Sequence, residues 1–398
     1  MKIICVAGTR PEAIKMAPVI LALQKNTTFN VRVLATAQHR QMLDQVFAVF
    51  GIVPDIDLDI MQPNQSLPTL TARLLLKLDE VLQAEQPDVV LAQGDTTTVM
   101  TVALACFYLR IPFGHIEAGL RTWDIENPFP EEMNRRLIGR LATWHFAPTS
   151  AARGHLIAEG TSDDVVEVTG NTGIDNLKWV VERGLGNSSF PSSGDARWRV
   201  LVTLHRRENH GAVTARLSEE IRILANRHEL SIVLPLHPNP SVRKVVVDAL
   251  GDEPRVRLVA PLSYVDFIAT LADSDFVMTD SGGVQEEAPA LGKPVLILRN
   301  TTERPEAVDL GVSLLVGVDP ATVSAAVDRL CHDSVHFHRM SQPVFPYGDG
   351  AAADRITERL LRDLRVEEAL DPVDADVVDV REGTPRSVMN LALKLPTT

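Results

Sequence analysis

Three carboxylates sit in short polar strings that each stand beside an apolar run: Gln93-Gly94-Asp95-Thr96, His115-Ile116-Glu117-Ala118-Gly119-Leu120-Arg121 and Pro128-Phe129-Pro130-Glu131-Glu132. Carboxylates gathered at one rim can remove and return protons. Each also has a plainer explanation. Asp95 would serve as the N-cap of the helix that follows it, and the dipole of a helix opening at Glu131 would favour Glu131 and Glu132.

Cations and small residues occupy comparable places. Gly8-Thr9-Arg10-Pro11-Glu12 leads to Lys15, with Gly8 suited to a tight turn and Pro11 to a first helical position. A helix N-terminus offers free amides to an anion, and Arg10 and Lys15 could face the same ligand. A capped helix carrying two solvated cations fits this loop equally well. Leu204-His205-Arg206-Arg207-Glu208 puts a histidine between a strand end and two arginines, which raises it above a structural histidine. Asp280-Ser281-Gly282-Gly283-Val284-Gln285-Glu286-Glu287 opens another helix. There Gly282 and Gly283 allow backbone amides to approach a phosphate, Ser281 adds a hydroxyl, and Glu287 can accept two hydrogen bonds from a ribose diol. A ligand-free glycine turn is the alternative. Arg304 lies in a further cationic strand-end string, Arg299–Glu306. The first loop is neither a Walker sequence nor a GxGxxG fingerprint, so ATP hydrolysis and NAD chemistry lack support.

Elements able to hold these loops are legible in the period of the apolar residues. Strands are expected at Lys2–Ala7, Val31–Thr36, Asp88–Ala92, Pro112–Ile116, His145–Ala147 and Val165–Thr169. Between them come helical patterns at Glu12–Lys25, His39–Phe50, Leu67–Glu85 and Thr97–Leu109. After a Gly/Ser/Pro-rich linker at 184–198, strands recur at Arg199–Thr203, Leu230–Leu234, Val256–Leu258, Phe276–Thr279, Val295–Leu298 and Ser313–Val316. Such alternation predicts an α/β protein with two Rossmann-like domains, 1–183 and 199–350, and parallel sheets. A late helix over 352–364 is expected to join the first domain, and the tail 366–398 has little periodicity. In open parallel sheets, ligands bind beyond the carboxyl ends of the strands, where the polar strings fall.

The chain has 398 residues, enough for two or three domains. With 39 Lys plus Arg against 52 Asp plus Glu, its net charge is −13, which argues against diffuse binding to nucleic acid or anionic membrane. The three cysteines, Cys5, Cys106 and Cys331, are spaced for neither a disulfide framework nor zinc. No signal peptide and no apolar run of about 18 residues is seen, so a cytoplasmic protein is expected. A diphosphate ligand bridging both domains, its reacting end over the carboxylates, accounts for cations in both halves and carboxylates mainly in one.

These residues resemble the non-hydrolysing UDP-N-acetylglucosamine 2-epimerases of bacteria. The matching strings are GTRPEAIKMAPVI, QHRQM, QGDTTT, HIEAGLRT, PFPEEMNRR, HRREN, HPNP, DSGGVQEEAPALGKPV and TTERPEAV, in order from Met1 to about Ile356. The resemblance implies a glycosyltransferase-B-type fold, two domains facing across a cleft, and interconversion of UDP-GlcNAc and UDP-ManNAc. It implies elimination of UDP to 2-acetamidoglucal and its re-addition, supplying cell-envelope polysaccharide. Asp95, Glu117 and Glu131 become the acid/base groups, with His205 at the diphosphate; which carboxylate serves which face of C2 stays open.

By the same resemblance Arg10 and Lys15 approach the sugar diphosphate, Ser281, Gly282 and Gly283 bind phosphate, Glu287 binds ribose, and Arg304 supports the phosphates. Phe267 and Leu262 lie near uracil. Leu262 departs from a frequent Gln, and Leu204 from a small residue before the histidine. Gln38 and Gln41 match contacts to a second UDP-GlcNAc acting as activator, although Asn64 stands where an Arg is usual. The resemblance implies a homodimer and calls for no cofactor or metal ion. A glycosyltransferase of the same fold and an epimerase of a related UDP-2-acetamido sugar are the alternatives.

Overall fold

The computed structural model describes residues 1–36, 40–60, 62, 65–191, 196–204, 211–237 and 239–370. It contains two parallel sheets. The first has seven strands: β1 (Lys2–Ala7), β2 (Asn30–Ala35), β3 (Ile56–Asp57), β4 (Val89–Gln93), β5 (Phe113–Ile116), β6 (Trp144–Ala147) and β7 (Val166–Val168), in the order β3-β2-β1-β4-β5-β6-β7. The second has six: β8 (Trp198–Thr203), β9 (Leu230–Pro235), β10 (Val256–Val259), β11 (Phe276–Thr279), β12 (Val295–Ile297) and β13 (Ser313–Leu315), in the order β10-β9-β8-β11-β12-β13. Both sheets lie within one compact unit, Met1–Arg359.

Helices cover both faces of each sheet, so the central strands carry continuous apolar runs. Ile3, Ile4, Cys5 and Val6 of β1 are all buried. The helix Leu67–Glu85 shows why one such helix forms: Ser66 caps its start by accepting from Thr69 N, and Leu70, Leu74, Leu78 and Leu82 make a buried row at four-residue spacing. That row packs with Ile4, Val6 and Val90 of the sheet. Truncating one such leucine to alanine costs about 2–5 kcal/mol.

Every strand expected from the sequence forms, within two residues at either end. The two-residue strand β3 is an addition, too short to show a period of two. At the two ends of the stretch expected as a linker, Asn187 N donates to Asp266 Oδ1 at 2.8 Å, Ser189 N donates to Thr270 Oγ1 at 3.0 Å, and Trp198 opens β8. The late helix runs Ala352–Leu370, longer than expected. Its first turn is tied to the first half, since Asp175 accepts from Ala353 N at 2.8 Å and Arg355 donates to the Thr169 carbonyl at 2.9 Å.

In each sheet the strand order reverses direction once, between β1 and β4 and between β8 and β11. Those reversals leave a crevice at the strand ends, where neighbouring connections depart to opposite faces. The Gly8–Glu12 loop follows β1, Gly94–Thr96 follows β4, and Asp280–Gly283 follows β11. The fold thus explains why residues so distant in sequence share one site. All three cysteines are buried and free, and burial pushes the Cys5 and Cys106 thiols up to about 12.

Candidate functional site

A cavity of about 550 Å³ opens at both crevices, with loops from each sheet in its wall. Asp95, Glu117 and Glu131 all line it, together with Arg10, Lys15 and Arg304. Leu262, Phe267, Ser281, Gly282, Gly283 and Glu287 complete the sequence-predicted set that it brings together. His205, Gln38, Asn64 and the side chain of Gln41 lie outside the described residues.

The first loop is both a cap and a source of cations. Thr9 caps the helix Arg10–Gln24, and Glu12 closes the capping box from inside, accepting from Gly8 N at 2.6 Å and Thr9 N at 3.2 Å. Thr96 also donates to Glu12 at 2.7 Å, which ties this loop to the one after β4. Both cations have protein partners. Lys15 bonds Glu117 directly and lies 3.5 Å from Glu286, while Arg10 donates to the Leu262 carbonyl at 2.7 Å.

Asp95 is not a helix cap. Thr96 takes that role by accepting from Val99 N, and the Asp95 carboxylate is held by Arg135 Nε at 2.8 Å. Asn134 adds a bond to the Asp95 carbonyl at 2.8 Å. Both partners project from the helix Glu131–Leu141, whose first turn carries Glu131 at the cavity wall. That placement by the helix dipole and exposure to the cavity are compatible.

Glu117 has φ +66°, a left-handed conformation that a side-chain-bearing residue keeps only where its surroundings impose it. Its carboxylate accepts from Lys15, from Gln93, and from Asn171 Nδ2 at 2.8 Å, with Arg304 Nη2 at 4.0 Å. Burial pushes Glu117 upward, but Lys15 and Arg304 more than offset it and hold the carboxyl below the usual range. Arg304 is pinned by Glu286 and by Glu303, each at 2.5 Å. Glu287 differs in kind. Burial and the neighbouring Glu286 push it up to about 8, although Tyr264 donates to it at 3.2 Å.

Sequence reasoning missed Glu286, Asn171, Arg135 and Gln93. Glu286 and Gln93 stood inside strings already singled out, and Arg135 followed the PFPEE turn. Asn171 had no such signal beyond its place after an expected strand. Among the described residues no His/Cys/Asp/Glu group suits a metal ion, and no helix is long and apolar enough to cross a membrane.

A family model described as UDP-N-acetylglucosamine 2-epimerase matches residues 21–361. The chain belongs to the UDP-N-acetylglucosamine 2-epimerase family. The Escherichia coli (strain K12) UDP-N-acetylglucosamine 2-epimerase is 47% identical over 369 residues, spanning 90% of this chain and 98% of that protein. The Bacillus subtilis (strain 168) enzyme is 47% identical over 362 residues, 91% of this chain and 95% of its own. A crystal structure of the Neisseria meningitidis UDP-GlcNAc 2-epimerase bound to UDP-GlcNAc superposes with a TM-score of 0.87 at 47% identity, covering 91% of this chain and all of that one. The α/β fold is accordingly glycosyltransferase-B-like, and the protein is an isomerase with UDP-GlcNAc 2-epimerase activity. In this UDP-N-acetylglucosamine 2-epimerase one cavity holds both carboxylates and cations.

Proposed function

We propose that this cavity takes UDP-GlcNAc and interconverts it with UDP-ManNAc by elimination and re-addition of UDP. One carboxylate removes the C2 proton, the C1–C2 double bond forms, and the C1–O bond breaks with its electron pair leaving on UDP. The product of that half is 2-acetamidoglucal. In reverse, a UDP phosphate oxygen attacks C1 and a proton enters C2 on the opposite face, so two proton carriers are needed.

The two are drawn from Asp95, Glu117 and Glu131. Their gathering with Lys15 and Arg304 in one cavity is the observation that carries the reading. The C2 proton is weakly acidic, so its removal depends on stabilising the departing diphosphate, the task of Lys15, Arg304 and the amides at Gly282 and Gly283. Ser281 assists there, with His205 proposed beside it. Glu287 takes the ribose, while Phe267 and the Leu262 backbone flank uracil. No cofactor is required by this chemistry.

The same reading includes a homodimer, closure of the 1–183 and 199–350 domains on the ligand, a cytoplasmic setting and supply of cell-envelope polysaccharide. UDP-GlcNAc as activator through Gln38 and Gln41 is part of it: UDP-ManNAc alone should turn over slowly until a trace of UDP-GlcNAc is added. Positional isotope exchange tests the elimination. UDP-GlcNAc labelled with ¹⁸O at the C1 bridging position should scramble label into the non-bridging phosphate oxygens, and strict retention during epimerisation would exclude C1–O cleavage.

A further inference from the structure

Asn171 sits between two carboxylates from opposite halves of the site, the buried Glu286 and the partly buried Glu117. Its Nδ2 donates to Glu117 Oε1 at 2.8 Å and to Glu286 Oε2 at 2.9 Å, which uses both amide hydrogens. Its Oδ1 accepts from Gly173 N at 2.9 Å as the cap of the helix Thr172–Glu182. That last bond fixes the amide's orientation, because a flipped amide would set its oxygen against two carboxylates and its NH2 against an N–H. The backbone is held as well: Asn171 N donates to the Tyr347 carbonyl at 2.6 Å. The residue is 2% exposed.

The other partners of Glu117 divide into two kinds. Lys15 and Arg304 are cations, each shared with Glu286, and both are groups that an arriving diphosphate would draw toward itself. Gln93 and Asn171 are neutral and have no such competitor. Gln93 holds Oε2, and Asn171 holds Oε1. Glu117 also occupies a left-handed backbone conformation, kept where its surroundings impose it.

We propose that Asn171 is a positioning residue for the epimerisation: it keeps the Glu117 carboxylate aimed at the sugar when Lys15 and Arg304 engage the diphosphate, and through Glu286 it locks that aim to the opposite half. This inference rests on the proposed roles of Glu117 and the two cations. A misaimed proton carrier slows the chemical step and leaves ground-state binding in place.

The test uses two substitutions that keep a competent helix cap and remove the donation, Asn171→Ser and Asn171→Asp, since Ser, Asp and Asn cap comparably. In Asn171→Ser, kcat for UDP-GlcNAc falls tenfold or more, while KM and UDP affinity stay within threefold of wild type; Tm falls modestly, because Glu117 and Glu286 each lose a donor. In Asn171→Asp, which turns an acceptor toward two carboxylates, kcat falls further. A purely structural cap predicts wild-type kcat in both variants. A kcat within twofold of wild type in whichever variant folds, or a loss shared equally by UDP affinity, overturns the proposal. Absence of epimerisation by the wild-type protein itself would instead overturn the reading on which it rests.

Discussion

Arg10 Nη2 donates to the carbonyl oxygen of Leu262 at 2.7 Å, joining the loop after β1 to the loop ahead of the helix Tyr264–Asp273 beyond the other sheet. The residues are 252 apart in sequence. The bond places a guanidinium beside the part of the cavity lined by Leu262 and Phe267, and it uses the backbone of Leu262, not its side chain. A charge-assisted hydrogen bond of this kind contributes about 1.5–3 kcal/mol. Arg10→Ala removes that bond and should lower Tm by a few degrees; because it also removes a cation from the cavity wall, it should weaken UDP about tenfold or more by calorimetry, and unchanged affinity would remove Arg10 from the nucleotide site.

Lys15 governs Glu117. It is partly buried beside two carboxylates, and with Arg304 it holds the Glu117 carboxyl low against the opposite pull of burial. Lys15→Met should lower kcat/KM at least about a hundredfold, roughly 2.7 kcal/mol of transition-state stabilisation. It should also move the titration of Glu117 upward in carbon NMR of labelled glutamate, assigned with Glu117→Gln. An unmoved titration would contradict the offset.

Glu287 makes stability depend on pH in a definite direction. The folded carboxyl keeps its proton up to about 8, whereas the ordinary value is 4.5, so between those pH values the native state binds more protons than the unfolded one. Unfolding free energy from this group then falls as pH rises through that window. Glu287→Gln removes the effect. Its Tm relative to wild type should climb by several degrees between pH 5.5 and 8.5, measured without ligand, and parallel Tm curves would count against a buried neutral Glu287.

Two adjacent glycines should behave differently. A Cβ on Gly282 would lie 2.8 Å from Arg304 Nη1, and Arg304 cannot swing away freely because Glu286 and Glu303 pin it. Gly282→Ala should displace the guanidinium and cut UDP affinity about tenfold. A Cβ on Gly283 meets nothing within 4 Å. Gly283→Ala should keep or raise Tm, since Ala is favoured over Gly in a helix by about 0.5–1 kcal/mol. Any loss of UDP affinity there reports the close approach of a phosphate to the backbone. Equal losses of Tm in both would refute the distinction.

The strands and the loops that carry chemistry were legible because buried parallel strands are short apolar runs and their polar ends stand out. β1 and β11 matched their expected bounds for that reason. What the sequence could not show was pairing. Asp95 follows a strand and precedes a helix, which is equally the description of a cap, and only the position of Thr96 and the reach of Arg135 decide otherwise. Glu286 and Glu287 are neighbours on one helix, yet one neutralises Arg304 and Lys15 while the other turns toward Tyr264. Asn171 gave no sign of its role, because its partners lie 54 and 115 residues away and an Asn before a helix ordinarily signals only a cap.

Proton exchange at C2 tests the central claim most directly. Incubated with UDP-GlcNAc in D2O and followed by NMR, the protein should form UDP-ManNAc bearing deuterium at C2, and recovered UDP-GlcNAc should gain deuterium there as well. UDP-ManNAc that forms with its C2 proton retained would contradict removal of that proton by the carboxylates of this cavity.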